Sequence, residues 1–210
     1  MSGNRAERHL LAYTDASMVA GAELALATLI EYLPARVKVT VAGSNEEVVR
    51  STAERRPDAA IVITPRLAAK SDLANLPAVR RILLELRPSA IHLNKAEVAG
   101  LRYVECLTRT LRRGRPRVVS VIHHVELPAT MPGRILSRRL AAGSDAIVAV
   151  GADLARQLET ILGLPTDRVH AIPNALPPLA RTARPAGDRF VVGALTRFVP
   201  HKAVGDLISA

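Results

Sequence analysis

The strongest constraint on the fold is a regular alternation of short β-branched segments with longer segments of helical periodicity. Seven segments have the composition of buried strands: His9–Tyr13, Val37–Val41, Ala59–Ile63, Ala90–Leu93, Val118–Ile122, Ala146–Val150 and Val169–Ile172. Between them, apolar residues three and four positions apart predict helices over Ala22–Leu33, Glu46–Arg55, Leu76–Leu86, Glu97–Arg112, Arg134–Ala142 and Asp153–Leu162. This alternation is typical of a parallel sheet built from right-handed βαβ units.

The apolar composition narrows the fold class further. Apolar residues make up 49% of the chain, but aromatic residues only 2%, and tryptophan is absent. The core is therefore built from Ala, Val, Leu and Ile, which favours a buried sheet with helices on both faces. We predict an α/β fold with a Rossmann-like parallel sheet.

The domain organisation is predicted from a break in this pattern. Apolar periodicity is weak after residue 174, and the segment contains four residues that interrupt regular structure: Pro177, Pro178, Pro185 and Gly187. We predict a first domain over residues 1–176, a linker over 177–188, and the start of a second Rossmann-like domain over 189–210. A single βα unit does not bury its own strand, so we expect this second domain to be incomplete at Ala210.

Polar residues follow several predicted strands, at the edge where ligands bind in an open parallel sheet. His92 and Asn94 end the fourth strand, and His123 ends the fifth. These side chains can hydrogen-bond a sugar hydroxyl, and a histidine can also move a proton. His123 is preferred to His124 because the pleat of a strand turns only one of the two inward. Gly21 opens the first helix, where small residues let backbone amides approach a ligand.

A pair of basic residues follows the predicted strand of the second domain, Phe190–Leu195. Arg197 and Lys202 stand five positions apart, between an apolar segment and a short helix. A guanidinium and an ammonium beside a helix N-terminus suit a diphosphate, which needs positive charge and fixed donors together.

Six segments, in order, resemble motifs of the family-four glycosyltransferases, which have the GT-B fold of two facing Rossmann-like domains. Gly21-Ala22-Glu23 is similar to the end of the family's Gly-Gly-Ala-Glu helix start. The other five segments are Arg87–Asn94, Val118–His123, Asp145–Val150, Arg168–Asn174 and Gly193–Lys202. The last of them resembles "vGRLvpeKG", and Arg197 and Lys202 occupy its basic positions.

The resemblance implies transfer of a sugar from a nucleotide-sugar to an acceptor, with retention at the anomeric carbon and without a metal or other cofactor. Arg197 and Lys202 would bind the donor diphosphate and stabilise the negative charge of the leaving group. Gly21 would lie over the reacting centre and His123 near the donor sugar. Asn174, just before the linker, would bind the donor together with Gly21, Arg197 and Lys202. The acceptor would be a sugar, a lipid-linked sugar or a small molecule, in cell-envelope polysaccharide or glycolipid synthesis.

The basic character of the chain leaves several partners to consider. The formal net charge is +10, which favours phosphate, anionic lipid or nucleic acid, although a bias toward arginine also produces it. We expect no nucleic-acid partner, because aromatic residues for base stacking are almost absent. Clustered arginines fit peripheral contact with an anionic membrane better.

Two further expectations concern location and activity. Cys106 is the only cysteine, and no signal peptide or spanning segment is visible. We therefore expect a cytoplasmic protein, with the inner face of the membrane as a peripheral location. Because the sequence does not include the segment that recognises the donor in this family, a non-catalytic fragment of the acceptor domain is the main alternative to an active enzyme. A basic nucleic-acid-binding protein is the less favoured one.

Overall fold

The computed structural model describes residues 8–98, 100–111, 115–126, 130–177 and 204–209. Seven parallel strands form one sheet in the order β3-β2-β1-β4-β5-β6-β7. The strands are β1 Arg8–Thr14, β2 Val37–Gly43, β3 Ala60–Ile63, β4 Ala90–Glu97, β5 Arg117–His124, β6 Ala146–Ala149 and β7 Val169–Ala171. The predicted α/β fold with a Rossmann-like parallel sheet is confirmed.

Helices connect these strands. They are α1 Gly21–Glu31, α2 Glu46–Ala53, α3 Leu76–Leu86, α4 Arg102–Arg109, α5 Met131–Gly143 and α6 Ala152–Leu162, with a short 3-10 helix at Lys70–Asn75. The Asn45 side chain caps α2 and the Thr130 side chain caps α5, each accepting a hydrogen bond from a backbone N–H of the first turn. Gly163 ends α6 in the left-handed conformation, at φ 57°.

The alternating side chains of the strands build a core on each face of the sheet. On one face, Ala12 and Val41 pack with Leu26 and Ile30 of α1. The opposite face carries two further clusters, one with residues of α3 and α4 and one with residues of α5 and α6. Helices therefore cover both faces, as the composition predicted.

The bounds of β4 and α4 differ from the prediction. The fourth strand was expected to end at Leu93 and the next helix to begin at Glu97, but β4 continues to Glu97, whose backbone pairs with His124 of β5. The helix begins only at Arg102, after Leu101 adopts a left-handed φ of 55°. Strand pairing overrides local helical periodicity in this segment, because its neighbour β5 is equally long.

A buried ion pair joins the end of β4 to α4. The Lys95 ammonium lies 3.0 Å from the Glu105 carboxylate, and both side chains are almost fully buried. Glu105 also accepts a hydrogen bond from the Ser144 hydroxyl, at 2.7 Å. These contacts satisfy two charges that would otherwise be costly to remove from water.

The chain divides into two compact units, Met1–Pro177 and Pro178–Ala210. In the second unit, the structure describes one short helix, α7 Val204–Ser209. The predicted linker beyond Pro177 and the predicted strand Phe190–Leu195 lie outside the described residues. Within the described part of the chain, none of the helices has the length and apolar character needed to span a bilayer.

Candidate functional site

The candidate site lies where β1 and β4 run side by side. From β1 the chain proceeds to β2 and β3 on one side of this strand. It then crosses to β4 on the other side of β1, and β5, β6 and β7 follow in order. Ligands of open parallel sheets bind at such a switch point, beyond the carboxyl ends of the strands. Thr14 of β1 is aligned with Asn94 of β4, so both side chains lie on the same face of the sheet.

Glu23 connects this face to the start of α1. Its Oε1 accepts hydrogen bonds from the Thr14 hydroxyl at 3.2 Å and from Asn94 Nδ2 at 3.1 Å, and its Oε2 accepts the Ala20 N–H at 3.2 Å. The side chain is only 3% exposed. Burial raises the pKa of Glu23, and these hydrogen bonds partly oppose the rise by favouring the carboxylate. The carboxylate thus ties β1, β4 and α1 together.

His123 extends the network to β5. Its Nε2 lies 3.0 Å from Asn94 Oδ1, and the ring is half-buried, whereas His124 is exposed. Burial lowers the pKa of His123, because it disfavours the imidazolium. The site therefore holds a neutral imidazole at the carboxyl end of β5, within one hydrogen-bonded chain that runs through Asn94 to Glu23.

His92 and Asn94 were predicted at the end of the fourth strand, but they lie inside β4, which continues to Glu97. His92 is 7% exposed and Asn94 2% exposed, because β4 continues past them. Burial lowers the pKa of His92 to about 4, with Asn94 opposing the change and His123 adding to it. Among the described residues, His92 Nε2 has no hydrogen-bond partner. Asn94 is better placed to hold His123 than to touch a sugar, and direct sugar contacts by this pair stay a prediction.

Gly21 is exposed at the first turn of α1. A Cβ added at this position would meet no atom of the described residues within 4 Å, so the backbone is not covered by the described part of the chain. Ala20, which precedes it, has an extended conformation with φ −139° and ψ −170° that any residue can adopt. Alanine here therefore causes no backbone strain, and the helix N-terminus stays accessible to a ligand.

The remaining predicted site residues lie apart from this cluster or outside the described residues. Asn174 is exposed in the segment that follows β7, and β6 separates that strand from β5. Arg197 and Lys202 lie outside the described residues, so the diphosphate contact remains a prediction. The groups brought together by the described chain are Glu23, Asn94 and His123.

Sequence reasoning did not assign Glu23 to the site. A glutamate at the third position of a helix is one half of a capping box, and its carboxylate usually accepts the N–H of the capping residue. Glu23 makes that bond to Ala20, and it also reaches Asn94, which is 71 positions away in the chain. The spacing between Ala20 and Glu23 could have indicated the first contact, but not the second.

Comparison with models of protein families identifies the family of this chain. The model of Glycosyltransferase Family 4 matches residues 19–178, which include most of the sheet, the helices around it and the Glu23 network. The chain belongs to glycosyltransferase family 4. This family-four chain matches no curated protein sequence.

Solved structures support the fold. The Anabaena protein HepE, crystallised with UDP-glucose, is 15% identical with a TM-score of 0.61, over 80% of this chain and 44% of HepE. A glycosyltransferase from Rickettsia africae is 13% identical with a TM-score of 0.61, over 80% of this chain and 43% of its own. A UDP-N-acetylglucosamine 2-epimerase is 10% identical with a TM-score of 0.52, over 79% of this chain and 48% of its own. This family-four chain thus spans less than half of each, and likeness at such identities establishes the fold alone.

The described residues contain no group of three His, Cys, Asp or Glu side chains arranged to hold a metal ion. The expectation that the family-four reaction here needs no metal or other cofactor stays a prediction. In the Glu23 network, Glu23 and Asn94 are buried and bonded to each other, so the half-buried ring of His123 is the member left to meet a ligand.

Proposed function

We propose that this chain acts in the transfer of a sugar from a nucleotide-sugar to an acceptor, with retention at the anomeric carbon, in cell-envelope polysaccharide or glycolipid synthesis. The observation that carries the proposal is the Glu23–Asn94–His123 network beside the open turn at Gly21, in a chain of glycosyltransferase family 4. The complex of Anabaena HepE with UDP-glucose supports a nucleotide-sugar as the donor.

The described residues favour a role for His123 near the transferred sugar. A neutral imidazole can accept a hydrogen bond from a sugar hydroxyl without placing a positive charge next to the anomeric carbon, where positive charge develops in the transition state. Burial, which lowers the pKa of His123, keeps the ring neutral at physiological pH. In the proposed reaction Arg197 and Lys202 bind the donor diphosphate and stabilise the negative charge of the departing nucleotide.

Donor turnover tests this proposal directly. The chain is incubated with UDP-glucose and other nucleotide-sugars, and release of the nucleotide is measured with and without candidate sugar and lipid-linked acceptors. Arg197→Ala and Lys202→Ala are each expected to reduce release by at least about 100-fold, the loss typical for one group that stabilises transition-state charge. Arg80→Ala removes an exposed arginine from α3 as a matched control and should leave release unchanged.

His123→Ala, paired with His124→Ala as a control on the exposed neighbour, tests the role of the half-buried His123 ring. Loss of turnover only in the first variant supports the assignment. The anomeric configuration of the product, measured by NMR, decides between retention and inversion. Donor binding without release under any condition would favour the non-catalytic alternative, and absence of both binding and release would contradict the proposal.

We also propose that α5 contacts an anionic membrane surface. Met131 and Ile135 are exposed on this helix, one turn apart, at 65% and 49%. Arg134, Arg138 and Arg139 are also exposed and flank these two apolar residues on the helix surface. Apolar side chains bordered by arginines are typical of helices that lie in the membrane interface. Such contact would bring the site close to a lipid-linked acceptor.

Sedimentation with vesicles tests the membrane contact. Phosphatidylcholine vesicles, with and without phosphatidylserine, are compared for the wild type and for Arg138→Gln/Arg139→Gln. Each arginine contributes about 1 kcal/mol at an anionic surface, so the double variant should bind roughly 30-fold more weakly to the anionic vesicles. Arg80→Gln/Arg81→Gln removes the same charge from α3 and should bind as the wild type does. Equal binding to neutral and anionic vesicles would contradict the proposal.

A further inference from the structure

The direction of each hydrogen bond around Glu23 is set by backbone N–H groups, which can only donate. The Ala20 N–H donates to Glu23 Oε2, and the Ala16 N–H donates to Thr14 Oγ1 at 3.3 Å. Because Thr14 Oγ1 is already an acceptor, its own proton is available for Glu23 Oε1, 3.2 Å away. Glu23 thus accepts from Ala20 and Thr14, and it presents an acceptor oxygen to Asn94.

This arrangement fixes the orientation of the Asn94 amide. Only the Nδ2 end can donate to a carboxylate oxygen, and the distance from Asn94 Nδ2 to Glu23 Oε1 is 3.1 Å. The Oδ1 end of the same amide therefore points toward His123 Nε2, at 3.0 Å. Asn94 is 2% exposed, so water has little access to compete for either end.

An amide oxygen can only accept, so His123 Nε2 must carry the proton of this hydrogen bond. We propose that Glu23, acting through Asn94, holds the neutral His123 ring as its Nε2–H tautomer and leaves the Nδ1 lone pair as an acceptor for a ligand hydroxyl. Glu23 and Asn94 are then positioning residues, 71 positions apart in the chain, that set the hydrogen-bonding character of the ring. The identity of the ligand rests on the proposed function, whereas the tautomer does not.

The isosteric change Glu23→Gln is expected to reverse the donor and acceptor roles in the hydrogen bonds that link residue 23 through Asn94 to His123. The Ala20 N–H still requires an oxygen opposite it, so the glutamine oxygen takes the place of Oε2 and its NH2 group faces Asn94. Asn94 then turns its oxygen toward Gln and its NH2 toward His123. His123 Nε2 becomes an acceptor, and the ring proton moves to Nδ1. If Glu23 had a purely structural role, replacing it by Gln would leave the tautomer of His123 unchanged.

Long-range 1H–15N correlation spectra of the full chain, labelled at histidine and without any ligand, test the proposal. The His123 signals are assigned by their loss in His123→Gln. We expect Nε2–H in the wild type and Nδ1–H in Glu23→Gln. Glu47→Gln, which neutralises an exposed glutamate in the first turn of α2, should keep the wild-type tautomer.

A wild-type ring protonated at Nδ1, or a Glu23→Gln ring still protonated at Nε2, would overturn the proposal. If Glu23→Gln does not fold, Asn94→Asp gives the second comparison: it keeps an oxygen opposite His123 Nε2 and should keep the proton on Nε2, whether the ring is neutral or becomes an imidazolium beside the new carboxylate. A neutral ring protonated at Nδ1 alone in that variant would equally overturn the proposal. Binding of UDP-glucose is measured separately. If both tautomers are as expected but the wild type does not bind UDP-glucose, the result counts against the proposed function and not against the tautomer assignment.

Discussion

Replacing His92 tests whether a neutral histidine buried in the sheet makes the protein sensitive to acid. Burial lowers the pKa of His92 to about 4, from an ordinary value of 6.5. As the pH falls through 6.5, the unfolded chain takes up a proton at this histidine, but the folded protein does so only near pH 4. The unfolded state therefore binds more protons between these values, and the free energy of unfolding falls as the pH falls.

The gap of about 2.5 pH units, at about 1.36 kcal/mol per unit, corresponds to about 3 kcal/mol of stability lost between pH 7 and pH 4. Urea unfolding followed by far-UV circular dichroism at both pH values measures this loss. Other groups also titrate in this range, so the informative quantity is the difference between wild type and His92→Leu. We expect the variant to lose about 3 kcal/mol less than the wild type.

His124→Leu serves as the control, because it removes an exposed histidine from the same sheet. It should keep the acid sensitivity of the wild type. If His92→Leu and the wild type lose the same stability between pH 7 and pH 4, the neutral buried His92 is not the source of the effect.

Three further predictions concern the core. Lys95→Met leaves the Glu105 carboxylate buried without its ammonium and should lower the free energy of unfolding by about 3–5 kcal/mol, whereas Lys95→Met/Glu105→Leu should recover most of that loss in urea titrations. Arg56→Ala removes donors to four carbonyls between the end of α1 and the start of β2 and should lower the free energy of unfolding by about 3 kcal/mol or more, while Arg55→Ala, at a half-exposed side chain, should lower it by less than about 1 kcal/mol. Because burial raises the pKa of Tyr13 to about 12, absorbance at alkaline pH should show a late phenolate transition that is missing in Tyr13→Phe.

Most of the fold could be predicted from the sequence, because hydrophobic periodicity is a local signal. Each predicted strand of the first domain overlaps an observed strand, and α3 has the predicted bounds, Leu76–Leu86. The error at β4 arose where two polar residues, Lys95 and Glu97, continue the strand. Lys95 is buried only because Glu105 neutralises it, and this partner, on the following helix, is not visible in the local pattern.

The candidate site was predicted only in part, because some of its features are local in the sequence and others depend on which strands become neighbours. Strand ends are local features, so His123 could be placed at the carboxyl edge before its contacts were known. Glu23 could not be connected to Asn94, because that contact depends on which strands become neighbours. The residues of the diphosphate prediction, Arg197 and Lys202, lie outside the described residues, and their role stays a prediction.

The pairing of β1 with β4 also has a consequence for the order of folding events. It aligns Leu10 with Ala90 and brings Glu23 next to Asn94, so the chain must close a loop of about 80 residues before the network exists. Closure of a loop this long costs more entropy than formation of local contacts, and it slows folding. A partly folded chain that has formed only β1, β2 and β3 therefore has no site, and we expect the ability to bind a ligand to arise only when β4 and β5 join the sheet.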